Sequence, residues 1–319
     1  MEISVAPRGL IVELITPLKD DGSIDGHGLE RLLGRVAPFA QALLLAGPHT
    51  GEGKNLTSAH RLELLEKALV LIGRREIPIL IWVSQDTEEK TRDTILTLKK
   101  GLERQSYAGQ VFWVDTPLYY HSNRKLPALY HDLCSMVGEP FILHNDPEFI
   151  KGLAVPFKRH NIRTGILKEL MHVKAIVGLI FSGSLDRVHN FQKACRSRAH
   201  FRIYDEDETS FLDHPSMSGV VSVGANLAPK AWQKITQSCL QLSVDQKNYP
   251  DHRRQIWELG RYLRNLKDIY HRKPVTIVKE ILSDMGVIET PTCTFPAEDV
   301  EESKREAKEL MARNGDYSE

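Results

Sequence analysis

The feature that most constrains the fold is the recurrence of eight short apolar runs along the chain, spaced roughly 20 to 40 residues apart. Most of the runs are continuously apolar, which is typical of strands buried on both faces of a parallel sheet. Between them, apolar residues recur at helical spacing, as at Leu126, Leu129, Tyr130 and Leu133. The eight runs are Leu10–Ile15, Ala42–Ala46, Pro78–Val83, Val111–Val114, Pro140–Leu143, Ala175–Phe181, Phe201–Tyr204 and Val220–Val223.

Eight strand-and-helix units in succession predict an α/β fold, a closed (β/α)8 TIM barrel. An open, doubly wound sheet is the alternative, but no run is followed by the Gly-x-Gly-x-x-Gly turn of dinucleotide-binding sheets. After Val223 the chain has no further strand pattern and has the spacing of successive helices. We therefore expect residues 1–226 to form the barrel and residues 227–319 to form a C-terminal helical extension packed on it.

The charge balance excludes several kinds of partner. Lys and Arg together number 42, as do Asp and Glu, so the formal net charge is zero. This leaves no basic surface for nucleic acid or membranes, and no apolar stretch approaches the roughly 20 residues of a membrane helix. The four scattered cysteines form no Cys-x-x-Cys pair, which is typical of free thiols in a reducing compartment. We expect a cytoplasmic protein that binds neither nucleic acid nor membranes.

Polar residues follow most of the predicted strands. They include 49–52 after the second, 144–146 after the fifth and 205–207 after the seventh. Because barrel enzymes carry their sites at the carboxyl ends of the strands, these residues are predicted to surround one site.

Six short motifs, met in order along the chain, carry a family resemblance. They are Asp21–Asp25, Pro48–Glu52, Leu56–Arg61, Thr116–Tyr120, Gly219–Val223 with Asn226, and Pro274–Lys279. In this order and spacing the chain resembles the dihydrodipicolinate synthase / N-acetylneuraminate lyase family, over residues 9 to 296.

The resemblance implies an aldolase-type lyase, yet the residue central to the family's chemistry is missing. Family members use a lysine in a Val-Gly-x-Lys strand to form a Schiff base with pyruvate, because a protonated imine withdraws electrons from the α-carbon. Here Val177-Gly178-Leu179 is followed by Ile180, which has no nucleophile. Lys54 and Lys151 lie in loops at the predicted site and are left open as substitutes.

The other family positions are partly kept. His144 replaces the proton-relaying tyrosine, His49 replaces the first loop threonine, and Thr50 keeps the second. Tyr120 resembles the tyrosine that reaches a neighbouring subunit's site, and the carboxylate-binding arginine is absent. The resemblance implies that catalysis rests on His144, Tyr120, Thr50 and His49. It implies substrate contacts at Gly51, Asn145, Lys151 and Val221.

Two alternatives stay open for these residues. His144 is either a general acid or base, since imidazole titrates near neutral pH, or a buried histidine hydrogen-bonded to a neighbour. A hydrolytic zinc site is the second alternative. Its possible ligands are His49, His144, Asp146, Asp205 and Glu206.

Our first hypothesis is therefore a family member without Schiff-base activity that binds a small keto or hydroxy acid. The second is an active enzyme that uses His144 without an imine, and a metal-dependent hydrolase is the third. We expect no cofactor and no metal under the first two. The family resemblance implies a homo-oligomer, either a dimer or a tetramer.

Overall fold

Each continuous apolar run forms a parallel strand in the structure, a computed structural model that describes residues 5–105, 107–240, 249–296 and 298–317. The strands are β1 (Gly9–Glu13), β2 (Ala42–Leu45), β3 (Ile79–Trp82), β4 (Val111–Asp115), β5 (Phe141–Asn145), β6 (Ile176–Phe181), β7 (Arg202–Asp205) and β8 (Gly219–Ser222). Every residue of β1–β6 and β8 is buried, as expected for strands covered on both faces.

The strands follow one another around a closed barrel, and β1 pairs with β8 to complete it. All the pairings are parallel, with Ile11 opposite both Ala42 of β2 and Val221 of β8. The register shifts once, between Phe141 and Ile142 on the β5–β6 pair. The predicted TIM barrel is therefore confirmed, and all the carboxyl strand ends meet at one mouth.

Helices cover the outside of the barrel and continue beyond it. They are α1 (Gly26–Val36), α2 (Ser58–Ile72), α3 (Glu88–Glu103), α4 (Pro117–Tyr120), α5 (Leu126–Met136), α6 (Pro147–Gly152), α7 (Thr164–Leu170), α8 (Leu185–Cys195), α9 (Glu208–Asp213), α10 (Pro229–Leu240), α11 (Tyr249–Tyr270), α12 (Pro274–Asp284) and α13 (Glu301–Asn314). No helix in the described ranges is both long and apolar enough to cross a membrane. The four cysteines are free thiols.

The C-terminal helices divide into two groups by what they contact. The first, α10, packs on β1 and β8, as the eighth helix of a barrel does. The others, α11, α12 and α13, pack on one another, and α11 also contacts α9 and α10. A C-terminal helical extension is therefore present, and its predicted start at residue 227 stays a prediction.

The first of the sequence motifs has a structural role at the start of α1. Asp25 is fully buried and caps the helix, with Oδ1 accepting from the Gly28 amide at 2.9 Å. Its Oδ2 accepts from the Glu289 amide at 3.2 Å, so the same carboxylate binds the C-terminal segment. An N-cap carboxylate satisfies backbone amides that the helix itself cannot.

We expect Asp25→Ala to lower the free energy of unfolding by about 1–2 kcal/mol, because two buried amides lose their acceptor. Urea denaturation measures the change. Thr87→Ala is the matched control, since Thr87 caps the exposed start of α3 and its loss should cost about 0.5–1 kcal/mol. Equal losses of unfolding free energy in the two variants would contradict a stabilising contact between Asp25 and the Glu289 amide.

Candidate functional site

A cavity of about 580 Å³ opens at the carboxyl ends of the strands. Its walls come from the loops after β1, β2, β5, β6, β7 and β8, and from the end of α11. The lining side chains used below are Glu13, His49, Thr50, Lys54, Asp146, Glu148, Glu206, Lys267 and Tyr270. The predicted position of the site, at the barrel mouth, thus coincides with a real cavity.

His144 is held at both ring nitrogens beside this cavity. Its Nδ1 lies 2.8 Å from Thr116 Oγ1, and its Nε2 lies 2.8 Å from Glu206 Oε1. Thr116 Oγ1 also accepts from Trp82 Nε1 at 2.8 Å, which fixes the threonine hydroxyl in turn. Burial lowers the pKa of His144, but the charge and hydrogen bond of Glu206 together with the charge of Asp146 outweigh it and raise that pKa above its ordinary value. His144 and Glu206 therefore form an oriented pair.

A second histidine–carboxylate pair lies at the same mouth. His49 Nε2 is 2.5 Å from Asp146 Oδ2. Although desolvation lowers the pKa of His49, the hydrogen bond to Asp146 raises it to about 9. Burial raises the pKa of Asp146, but the same hydrogen bond brings it down to about 2. His49 and Asp146 are thus an ion pair at neutral pH, and with 44% of the His49 side chain exposed, solvent screens it.

Glu13 ends β1 and contributes a third carboxylate to the cavity. It is 3% exposed, and its Oε1 lies 3.4 Å from the Gly51 amide. Burial, reinforced by the nearby charge of Glu206, raises the pKa of Glu13 to about 7. The cavity therefore holds a carboxyl group that exchanges a proton near neutral pH.

The loop that carries His49, Thr50 and Gly51 is fixed from below by Arg61. This fully buried side chain donates to the carbonyls of Gly53 at 2.6 Å and Ser84 at 3.0 Å. Gly51 packs so tightly that a Cβ there would lie 2.3 Å from the Gly47 nitrogen. The sequence predicted a substrate contact at Gly51. The structure shows in addition that close packing against Gly47 requires a glycine at this position.

Tyr120 lies away from the cavity. Its hydroxyl donates to Asp115 Oδ2 at 2.8 Å, and Tyr130 donates to the same oxygen at 2.6 Å. Asp115 Oδ1 accepts from Ser84 Oγ at 2.6 Å, so both oxygens of the carboxylate accept hydrogen bonds from within this chain. Burial, and then the charge of Asp115, raises the pKa of Tyr120 well above its ordinary value. The structure does not bring Tyr120 together with His144, His49 and Thr50.

The predicted substrate-binding residues are also separated. Asn145 donates to Asn161 Oδ1 at 3.0 Å and accepts from the Ile162 amide at 2.8 Å, which holds the segment after α6. Lys151 is 64% exposed and pairs with Glu148 at 3.4 Å. Val221 is buried within β8. None of the four lines the cavity itself, although Gly51 and Lys151 lie in segments whose other residues do.

Ile180 faces the barrel interior. It lies directly opposite His144 in the β5–β6 register, so the two side chains share a face of the sheet. His144 on β5 contacts Glu206, which follows β7, and β6 lies between these two strands. A side chain can make this contact only across the inside of the barrel, so the shared face of His144 and Ile180 is the interior face. Ile180 is fully buried there.

Comparison with known proteins decides the family. The sequence model of the Dihydrodipicolinate synthetase family matches residues 6–314. The chain belongs to this family. A 4-hydroxy-tetrahydrodipicolinate synthase of Shewanella pealeana is 28% identical over 241 residues, which cover 74% of this chain and 76% of that protein.

Solved structures of the family share the fold. A dihydrodipicolinate synthase from Thermotoga maritima superposes with a TM-score of 0.77 at 20% identity, covering 97% of this chain and 99% of that one. A prophage protein of the dihydrodipicolinic acid synthase family from E. coli K12, solved in complex with pyruvate, gives 0.76 at 17% identity, with 96% and 98% covered.

The family resemblance places a lysine on β6, but the lysines that line this cavity come from other elements. Lys54, from the loop after β2, and Lys267, from α11, both line it. Lys151 does not, so of the two lysines considered as substitutes only Lys54 lies at the site. Lys267 donates to Thr209 Oγ1 at 2.7 Å.

Some of the side chains considered as possible metal ligands also come together in this family member. Ligand atoms of His144, Asp146 and Glu206 all lie within 4.8 Å of one another. Asp205 lies apart, because its Oδ2 accepts from the Ser216 amide at 2.8 Å.

Sequence reasoning missed several groups that shape the site. Glu13 carried a usable signal, since it is a single carboxylate within an otherwise apolar strand pattern. Tyr270 and Lys267 carried none, because helix α11 reaches the mouth only through the tertiary fold.

Proposed function

We propose that this family member binds a small keto or hydroxy acid at the barrel mouth and does not form the pyruvate Schiff base. The observation that carries the proposal is Ile180, which faces the barrel interior on β6 where the family resemblance places the lysine. An alkyl side chain cannot attack a ketone. The prophage relative was solved in complex with pyruvate, which supports a keto acid as the ligand class.

The second candidate function is an active enzyme that uses His144 for proton transfer without an imine. It is favoured by the contacts of His144 with Thr116 and Glu206, which fix the ring as a third group does in acid–base sites. Thr50 and His49 lie at the same mouth and would contact the same ligand.

The test of the first proposal is intact-mass spectrometry after incubation with pyruvate and sodium borohydride, which reduces any imine to a stable amine. We expect no adduct, while an active family enzyme treated in parallel is labelled. A stoichiometric adduct mapped to Lys54 or Lys267 would overturn the proposal, since a displaced lysine would then have taken over the chemistry.

We also propose a homo-oligomer, on the family resemblance alone. Sedimentation velocity across a range of concentrations measures it, and a monomer at every concentration would contradict the proposal.

A further inference from the structure

The charge of the cavity is unfavourable for an acidic ligand. Carboxylates on its walls outnumber the cationic side chains Lys54, Lys267 and His49. They belong to Asp146, Glu148, Glu206, Asp207 and Glu208, and to Glu13, which is only partly ionised at neutral pH because its pKa is about 7. A keto acid that entered this cavity alone would meet like charge in a partly dehydrated space, where such repulsion is strong. Binding of an acid therefore calls for an additional positive charge inside the cavity.

The place where such a charge would fit is the group formed by His144, Asp146 and Glu206, called the HDE cluster below. Its three ligand atoms lie within 4.8 Å of one another. Small side-chain rotations would place each of these atoms roughly 2.0–2.2 Å from one shared ion, which is the distance at which imidazole nitrogens and carboxylate oxygens bind a divalent ion. His144 and Asp146 are almost fully buried and Glu206 is 14% exposed, so their orientations are constrained by packing.

Each member of the HDE cluster is supported as metal ligands usually are. Thr116 Oγ1 lies 2.8 Å from Nδ1 of His144, so it can accept a hydrogen bond from Nδ1–H while Nε2 faces the Glu206 carboxylate. Asp146 Oδ1 accepts from the amides of Glu148 and Phe149, both at 3.0 Å, which fixes the carboxylate. Its Oδ2 pairs with His49 Nε2 at 2.5 Å, and a bound ion would take the place of the His49 ring at this oxygen.

Glu206 supplies an independent sign of a missing partner. Its Oε2 is buried and has no hydrogen-bond partner among the residues that the structure describes. An unpaired buried carboxylate oxygen is costly, because it has lost water and gained nothing in return. A cation bound between Glu206 and Asp146 would satisfy it.

We propose that the HDE cluster binds one divalent ion, Zn²⁺ or Mn²⁺, and that this ion anchors the carboxylate and the adjacent oxygen of a keto or hydroxy acid. The choice of ion follows from the ligands, since Zn²⁺ and Mn²⁺ accept an imidazole nitrogen beside two carboxylates, whereas Mg²⁺ prefers oxygen ligands alone and keeps several waters. The role as anchor rests on the proposed function; the metal site itself does not. In this assignment His144 is a ligand, and it takes no part in proton transfer.

The metal site is tested by titrating chelator-stripped protein with Zn²⁺ and with Mn²⁺ in a calorimeter. We expect one ion per chain for the unmodified protein, with Mg²⁺ binding far more weakly. Asp146→Asn and Glu206→Gln should each weaken binding at least tenfold, since even losses outside the ligand shell cost about 10–100-fold. The absence of stoichiometric binding by the unmodified protein would overturn the proposal.

Glu148→Gln is the matched control. Glu148 lines the same cavity, is 77% exposed and lies outside the HDE cluster, so the variant loses the same charge without losing a ligand. We expect its metal affinity to stay within about twofold of the unmodified protein. An equal loss of metal affinity in all three variants would show that the ion is attracted by the general negative charge of the cavity, and it would overturn the proposed site.

The anchoring role is tested with pyruvate and lactate as probes, titrated into the protein with the metal present and after chelation. Binding that requires the metal supports the role. Equal binding in both states would overturn it and leave the proposed function standing. Metal binding without any binding of either probe would overturn the proposed ligand class and leave the metal site standing.

Discussion

Replacing Lys279 with methionine is expected to lower the free energy of unfolding by about 3–5 kcal/mol, because it leaves a buried carboxylate without its counter-charge. Lys279 of α12 and Glu52 of the loop after β2 form an ion pair, with side chains 0% and 1% exposed. The ammonium also donates to the Thr292 carbonyl at 2.6 Å, and Glu52 accepts from the Thr294 amide at 2.6 Å. Urea denaturation measures the loss.

Two further variants show whether burial is the cause. Lys273→Met removes an ion pair with Glu298 of which both side chains are about half exposed, at 40% and 46%, and should cost less than about 1 kcal/mol. Adding Glu52→Gln to Lys279→Met removes the orphaned charge, so the double variant should regain a large part of the stability. If Lys279→Met were as mild as Lys273→Met, the pair would contribute nothing as a buried contact.

The barrel itself could be predicted because its strands leave a simple pattern. A strand buried on both faces is apolar along most of its length, and β1–β6 and β8 have no exposed residue. Eight such runs, each followed by a helix, leave few other ways to pair strands that must all be parallel.

The motifs that carried the family resemblance mostly hold the fold together. Asp25 caps α1, Arg61 binds the loop carbonyls of Gly53 and Ser84, and Lys279 neutralises Glu52. None of these groups needs to touch a substrate to be required. This explains how a chain can be recognised as a member of the family from residues that lie outside the site.

The candidate site was only partly predictable, because its contacts join distant segments. Sequence placed His144 and His49 at the mouth, but the partner of each depends on how neighbouring strands stagger. Glu206 comes 62 residues after His144, and Asp146 comes 97 residues after His49. No local pattern links such pairs. Tyr120 has a different reason: its partner Asp115 is only five residues away, but the contact depends on the short turn of α4.

Replacing Ile180 with lysine is expected to create the imine chemistry that, on the proposed function, the unmodified chain does not carry out. The position faces the barrel interior below the cavity and is fully buried. A lysine there is longer than isoleucine and would extend from this layer toward Ser182, which lines the cavity. Burial lowers the pKa of a lysine, which increases the fraction of free amine that can attack a ketone. Treatment with pyruvate and borohydride should therefore label one lysine per chain, at position 180.

Ile180→Met is the matched control, because it has a long, flexible side chain without an amine and should stay unlabelled. Circular dichroism must show that both variants fold, since an inserted amine carries its own cost of burial. Labelling at position 180 alone would show that the mouth still admits and orients a keto acid. The chemistry would then have been lost through this one side chain. A folded Ile180→Lys variant without an adduct would contradict that conclusion and locate the change in the surrounding site, at His49, His144 or Glu206.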